Sequence, residues 1–286
     1  MPSSVHELVD LLDLETIDVN LFRGTQPDTQ LQRVFGGQVA GQALVAGTRT
    51  VAEPLSVHSL HSYFLRPGDT AVPIVYDVER IRDGRSFSTR RIVARQHGHA
   101  IYYMTASFQV AEEGLEHQDV MPKVGPPEQA TDMAELFRQR APDRADHWLR
   151  EWAALEMRYV GDSRDGAVIG SAEHPAQSQL WIRVSGRLTD DPVLHQAAFT
   201  YASDMTLLGS ALVPHDMHIS DPGLQSASLD HTIWFHRRFR ADQWLLYDQV
   251  SPSASGGRGL AIGRVFTEDG TLVATVAQEG LIRLRG

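Results

Sequence analysis

Apolar and polar residues alternate with period two over residues 74–81, 86–96 and 100–109, which predicts three strands, the last two joined by a hairpin across His97-Gly98. Upstream the pattern changes. Over residues 34–51, Val39, Leu44 and Val45 are interspersed with Gly36, Gly37, Ala40, Gly41, Ala43, Ala46 and Gly47, which predicts a helix rich in small residues. Each glycine weakens an exposed helix by about 1 kcal/mol relative to alanine, so this helix is expected to be packed closely on nearly every side. Alternation returns over residues 272–282. There Leu272, Ala274, Val276, Gln278 and Ile282 share one face and Thr275, Glu279 and Arg283 the other. The first face is the one expected to cover a helix.

The pattern occurs twice. Gly41-Gln-Ala-Leu-Val45 returns 168 residues later as Gly209-Ser-Ala-Leu-Val213, Tyr63-Phe-Leu-Arg66 returns after 171 as Trp234-Phe-His-Arg237, and Gly84-Arg85 with Arg91 returns after 173 as Gly257-Arg258 with Arg264. Three matches in one order, with offsets that drift as loops would make them drift, indicate a duplicated unit. Asp204 and Gln278 stand where the first copy has Gly36 and Ala106, so polar chemistry was added to the second copy alone. Between the copies, residues 111–150 hold Glu112, Glu113, Pro122, Pro126, Pro127 and Pro142, and read as a linker with a polar helix near residues 131–140. The expected organisation is an N-terminal repeat over 1–112, a linker over 113–150 and a C-terminal repeat over 151–286. Each repeat is an α+β unit, a helix wrapped by an antiparallel sheet.

Composition narrows the function classes. With 286 residues and a formal net charge of −10, the chain buries substantial cores but lacks the basic surface that nucleic acid requires. It contains no cysteine, which removes disulfides, thiolate metal sites and a cysteine nucleophile. No basic and apolar leader, no apolar run of membrane-spanning length and no Ser-Lys-Leu ending is read, so a cytoplasmic protein without membrane insertion is expected.

Five segments carry a resemblance to a known family. Val34-Phe-Gly-Gly-Gln-Val-Ala-Gly-Gln-Ala-Leu44, His58-Ser-Leu-His-Ser-Tyr-Phe-Leu-Arg-Pro-Gly68, Arg82-Asp-Gly-Arg-Ser-Phe-Ser-Thr-Arg-Arg-Ile92, Tyr103-Met-Thr-Ala-Ser-Phe-Gln109 and Leu229-Asp-His-Thr-Ile-Trp-Phe-His-Arg237 resemble the type II acyl-CoA thioesterases, the TesB family. The resemblance implies a double hotdog that hydrolyses acyl-CoA to a free acid and coenzyme A, with coenzyme A as part of the substrate and no separate cofactor. It also implies homo-oligomerisation, and a trio made of an aspartate on the second helix, a hydroxyl residue in the following strand and a glutamine in the last strand. These fall on Asp204, Ser228 and Gln278; serine stands where the family more often has threonine.

The residues support that reading on their own terms. Asp204 is the only formally charged side chain between Asp191 and Asp216, in a segment read as helix interior, where aspartate is a poor former and an unpaired charge is costly. Partial burial should raise its pKa and improve it as a base for water, with Gln278 and Ser228 orienting the water and main-chain N–H groups at a helix start receiving the oxyanion. His58 is a possible supporting residue near the acyl group, although a strand histidine is more often structural. Arg82, Arg85, Arg90, Arg91, Arg258 and Arg264 are candidates for the coenzyme A phosphates, because the guanidinium fork matches phosphate oxygens. His215-Asp-Met-His218 reads as a loop, with no third ligand for a metal. Gly256-Gly-Arg-Gly259 reads as a turn between strands. Gly-x-Ser-x-Gly, His-Glu-x-x-His and the hydratase motif Asp-x-Asn-Pro-x-His are all absent. A non-catalytic acyl-CoA carrier or sensor stays open at this stage.

Overall fold

In the computed structural model, which describes residues 1–140, 142–164 and 175–285, the alternating segments pair into one antiparallel sheet. The first unit contains α1 (Val5–Leu12), β1 (Glu15–Asp18), β2 (Leu21–Gly24), α2 (Gly36–Thr48), β3 (Ser56–Phe64), β4 (Ile74–Asp83), β5 (Phe87–Gln96) and β6 (His99–Gln109). The connection carries β7 (Thr131–Asp132), α3 (Met133–Arg140) and α4 (Pro142–Glu151). The second unit contains β8 (Leu155–Asp162), β9 (Gln177–Val184), α5 (Pro192–Ser203), a 3₁₀ segment Leu207–His215, β10 (Leu224–Ser228), β11 (Asp230–Phe235), β12 (Leu245–Ser255), β13 (Arg258–Thr267) and β14 (Leu272–Leu284). The expected linker helix is α3; α4 was not foreseen, and Trp148 on it stacks on Phe137 of α3 with ring centroids 5.1 Å apart.

The sheet runs β1-β2-β4-β5-β6-β3-β11-β14-β13-β12-β9-β8-β7 and is continuous through the β3–β11 pair. Its two halves are related by an internal two-fold. His61 lies opposite Thr232 across β3 and β11, and these two residues are separated by the 171-residue repeat offset. On the neighbouring strands His61 faces Thr105 and Thr232 faces Ala277, so Gln278 is the structural counterpart of Ala106. Both hairpin turns read from sequence are present: His97-Gly98 and Gly256-Gly257 each put two consecutive residues at positive φ, the geometry of two-residue hairpins.

The small-residue helix has the expected packing: every residue from Gly37 to Gly47 is buried. Close approach to α5 explains its glycines. A Cβ on Gly37 would lie 2.1 Å from the Tyr201 carbonyl oxygen, so the helix axes could not sit this close with any other residue there. The first turn of α2 is seated by Phe35, whose ring meets Trp152 and Tyr201 edge-on. On the outer side of the second unit, Trp181, Trp244, Leu246 and Phe266 form a separate apolar cluster covered by Met121 and Val124 of the connecting segment.

Candidate active site

Asp204 is not in a helix interior, as its sequence context suggested. α5 ends at Ser203 and Asp204 is its C-cap, at the break between α5 and the 3₁₀ segment. That break turns the carboxylate towards β10 and β14. Asp204 Oδ1 accepts hydrogen bonds from Ser228 Oγ at 3.0 Å and Gln278 Nε2 at 2.5 Å, and Gln278 Nε2 also donates to Ser228 Oγ at 2.8 Å. The three residues singled out from sequence are thus in mutual contact, although 74 residues separate Asp204 from Gln278. Ser228 closes β10 rather than opening a strand, opposite Gly280 of β14. Gln278 is fully buried on the predicted inward face, and its Oε1 has no donor among the described residues.

The other carboxylate oxygen faces the opposite repeat. A Cβ on Gly36 would lie 2.5 Å from Asp204 Oδ2 and 2.7 Å from the Phe64 ring. Gly36 and Asp204 are counterparts in the duplicated sequence, so the two equivalent positions meet near the two-fold, and the glycine leaves room at the charged one. The Gly37 N–H donates to the Asp204 carboxylate. α2 begins at Phe35 without a side-chain cap, which directs its first-turn N–H groups, the positive end of the helix dipole, at the site. Desolvation nevertheless dominates: burial raises the Asp204 pKa to about 6, opposed by the bonds from Gln278, Ser228 and Gly37.

The remaining candidates separate from this cluster. His58 lies on the outer face of the sheet, where its Nε2 is 2.8 Å from Ser107 Oγ and its ring abuts Phe87; it does not approach Asp204. The bulge in β3 beside it left its facing unreadable from parity. Arg90 is 1 % exposed and bonds Thr50 Oγ1, the Thr50 and Arg82 carbonyls and Asp83, so it ties the end of α2 to the β4–β5 hairpin and offers no free donor to a phosphate. Read from sequence as a phosphate candidate, it lies instead on the inward strand face with Ile92 and Ala94. Arg264 is likewise committed, to Asp248 and Asp119 beneath the connecting segment. Arg91 pairs with Glu79 and Arg258 with Glu279 at exposed positions. Arg82 and Arg85, exposed at the β4–β5 hairpin, make no ion pair among the described residues. His215 ends the 3₁₀ segment, where a loop was expected, and His218 lies in the loop that follows. No group of three or more metal-ligating side chains occurs among the described residues. None of their helices is long and apolar enough to cross a membrane.

Comparison with known proteins gives the cluster its context. The family described as acyl-CoA thioesterase matches residues 165–281, and that described as acyl-CoA thioesterase N-terminal domain matches residues 25–109. The chain is 41% identical over 288 residues to acyl-CoA thioesterase 2 of Haemophilus influenzae, covering 99% of each. This chain belongs to the type II acyl-CoA thioesterase family. The crystal structure of the acyl-CoA thioesterase II TesB2 from Mycobacterium marinum is 49% identical and superposes with a TM-score of 0.82, covering 98% of this chain and 99% of that one. A hot dog fold protein from Alicyclobacillus acidocaldarius, 22% identical, matches with a TM-score of 0.78 over 98% of this chain and 99% of its own, which supports the double-hotdog architecture. Within this thioesterase, Arg90→Leu is expected to act on folding and not on substrate. Thermal melts should show a loss of about 2–4 kcal/mol, from unpaired buried carbonyls, while KM for acyl-CoA of the folded enzyme stays within about twofold of wild type.

Proposed function

We propose that this thioesterase hydrolyses acyl-CoA by general base catalysis, with the Asp204 carboxylate taking a proton from water as the water attacks the thioester carbonyl. The observation that carries this reading is the division of labour on the carboxylate. Oδ1 is held by Ser228 and Gln278, whereas Oδ2 lies against Gly36 at the start of α2. A water bonded to Oδ2 meets, on the same side, first-turn N–H groups able to receive the carbonyl oxygen as it becomes an oxyanion. Gln278 Oε1 supplies an acceptor for its second proton. Collapse of the tetrahedral intermediate breaks the C–S bond, and the leaving thiolate takes the proton from Asp204. The products are the free acid and coenzyme A, and the carboxylate is restored. Serine at position 228 performs the holding role, since the bond to Oδ1 needs only a hydroxyl.

The pH profile tests the base. A carboxylate with a pKa of about 6 is active when deprotonated, so log kcat/KM for thiol release should be level above pH 7 and fall by one unit per pH unit below about 6. A profile level down to pH 5 would exclude Asp204 from this role. For the phosphates of coenzyme A, Arg82 and Arg85 are the candidates left without carboxylate partners. Arg82→Ala combined with Arg85→Ala should raise KM about tenfold with kcat little changed, read from steady-state kinetics. The same reading includes a cytoplasmic homo-oligomer. The outer face around Tyr63, Phe87 and Trp234, each at least 37% exposed, supplies apolar surface for self-association, and light scattering measures the particle.

A further inference from the structure

The Asp204 carboxylate is in place because a helix breaks, and the groups that break it lie outside the reacting cluster. In a helix continuing through residue 204, the Thr200 carbonyl would accept from the Asp204 N–H and the Ser203 carbonyl from the Leu207 N–H. Here the Asp204 N–H turns to the Ala202 carbonyl. The Thr200 carbonyl takes Ser203 Oγ at 3.0 Å, and the Ser203 carbonyl takes the Tyr247 hydroxyl at 3.2 Å. Ser203 Oγ gives its single proton to Thr200, so its 2.8 Å contact with His231 Nε2 is a bond donated by the imidazole. His231 is fully buried and neutral, its pKa pushed down to about 3 by burial, and its own carbonyl accepts from Ser62 Oγ of the first repeat at 2.6 Å. Two side chains from β11 and β12 therefore occupy the end of α5.

We infer that His231 and Tyr247 are positioning residues: by holding the Ser203 hydroxyl and carbonyl they end α5 at Ser203 and aim the Asp204 carboxylate at Ser228, Gln278 and Gly37. The inference rests on Asp204 being the base, and its test separates the two claims. In the full chain, His231→Leu removes the donor to Ser203, His231→Gln returns an amide N–H near the Nε2 position, and Tyr247→Phe removes only the second bond. Hydrogen–deuterium exchange over residues 200–210 should rise about tenfold in His231→Leu and in Tyr247→Phe, and return towards wild type in His231→Gln. On a medium-chain acyl-CoA, kcat should fall about 10- to 100-fold in His231→Leu with KM within about twofold, and His231→Gln should recover most of it. A folded His231→Leu with unchanged exchange and kcat overturns the inference, as does a His231→Gln as impaired as the leucine variant. Should His231→Leu not fold, Tyr247→Phe decides by the same two readouts. Asp204→Asn is run beside them. If that variant keeps turnover, the base assignment falls, and the exchange measurement still judges the clamp.

Discussion

Asp204→Asn is expected to lose a factor of about 10²–10⁴ in kcat, the usual contribution of a general base, while becoming no less stable than wild type at pH 8. The stability half follows from the direction of the pKa shift. The folded carboxyl has a pKa of about 6 against 3.8 for an unperturbed one, so the folded state holds the charged form at a disadvantage. That disadvantage is absent below pH 3.8, grows between the two values and is fully present above about pH 6. A shift of this size corresponds to about 3 kcal/mol. Asparagine removes it and keeps an oxygen to accept from Ser228 and Gln278, but loses the Gly37 bond, worth about 1 kcal/mol. Melts at pH 8 should place the variant a few degrees above wild type, and melts at pH 5 should bring the two together. A variant less stable at pH 8 would mean that the ionised carboxylate stabilises the fold instead of straining it.

Gly36→Ala is expected to lower kcat about 100-fold with a smaller loss of stability than Gly37→Ala, because its added carbon collides with the reacting oxygen and a side-chain ring and not with main chain. A methyl 2.5 Å from Asp204 Oδ2 and 2.7 Å from the Phe64 ring must displace both, and a displacement of about 1 Å at a reacting group costs about that much rate. The adjacent glycine gives the contrasting case. In Gly37→Ala the methyl meets the Tyr201 main-chain oxygen, which cannot move without parting α2 from α5, so destabilisation of about 3 kcal/mol is expected. Paired melts and kinetics on the two variants separate site from scaffold. Equal loss of stability in both would show that Gly36 serves helix packing alone.

Much of this arrangement was legible in the chain. Period-two alternation placed β4, β5, β6 and β14, and the repeat offsets aligned Gln278 with Ala106, its structural counterpart. The inward face of Gln278 followed from parity alone. The break after Ser203 was hidden because residues 201–213 continue a helical composition, and the groups that stop the helix, His231 and Tyr247, come from distant strands. For the same reason the contact between Gly36 and Asp204 went unread: sequence aligned them as counterparts, and only the packing of α2 against α5 brings them together. α4 was read as linker, since its apolar face is short, Ala145, Trp148 and Leu149 among charged residues, and the surfaces that Trp148 meets, Phe137 and the main core, are not visible in its own segment. Among the arginines, Arg90 was read with the surface candidates because the inward face of β5 was not assigned, and the partners of Arg264 lie on β12 and in the connecting segment, beyond any local pattern.

Thiol release from acyl-CoA substrates of graded chain length, followed over many turnovers with wild type and Asp204→Asn side by side, addresses hydrolysis and its base together. The expected result is sustained release by the wild type on at least one chain length, with the variant folded and slower by at least about 100-fold. Binding of acyl-CoA at one equivalent without thiol release would make this member of the family a carrier, and undiminished release by Asp204→Asn would place the base elsewhere.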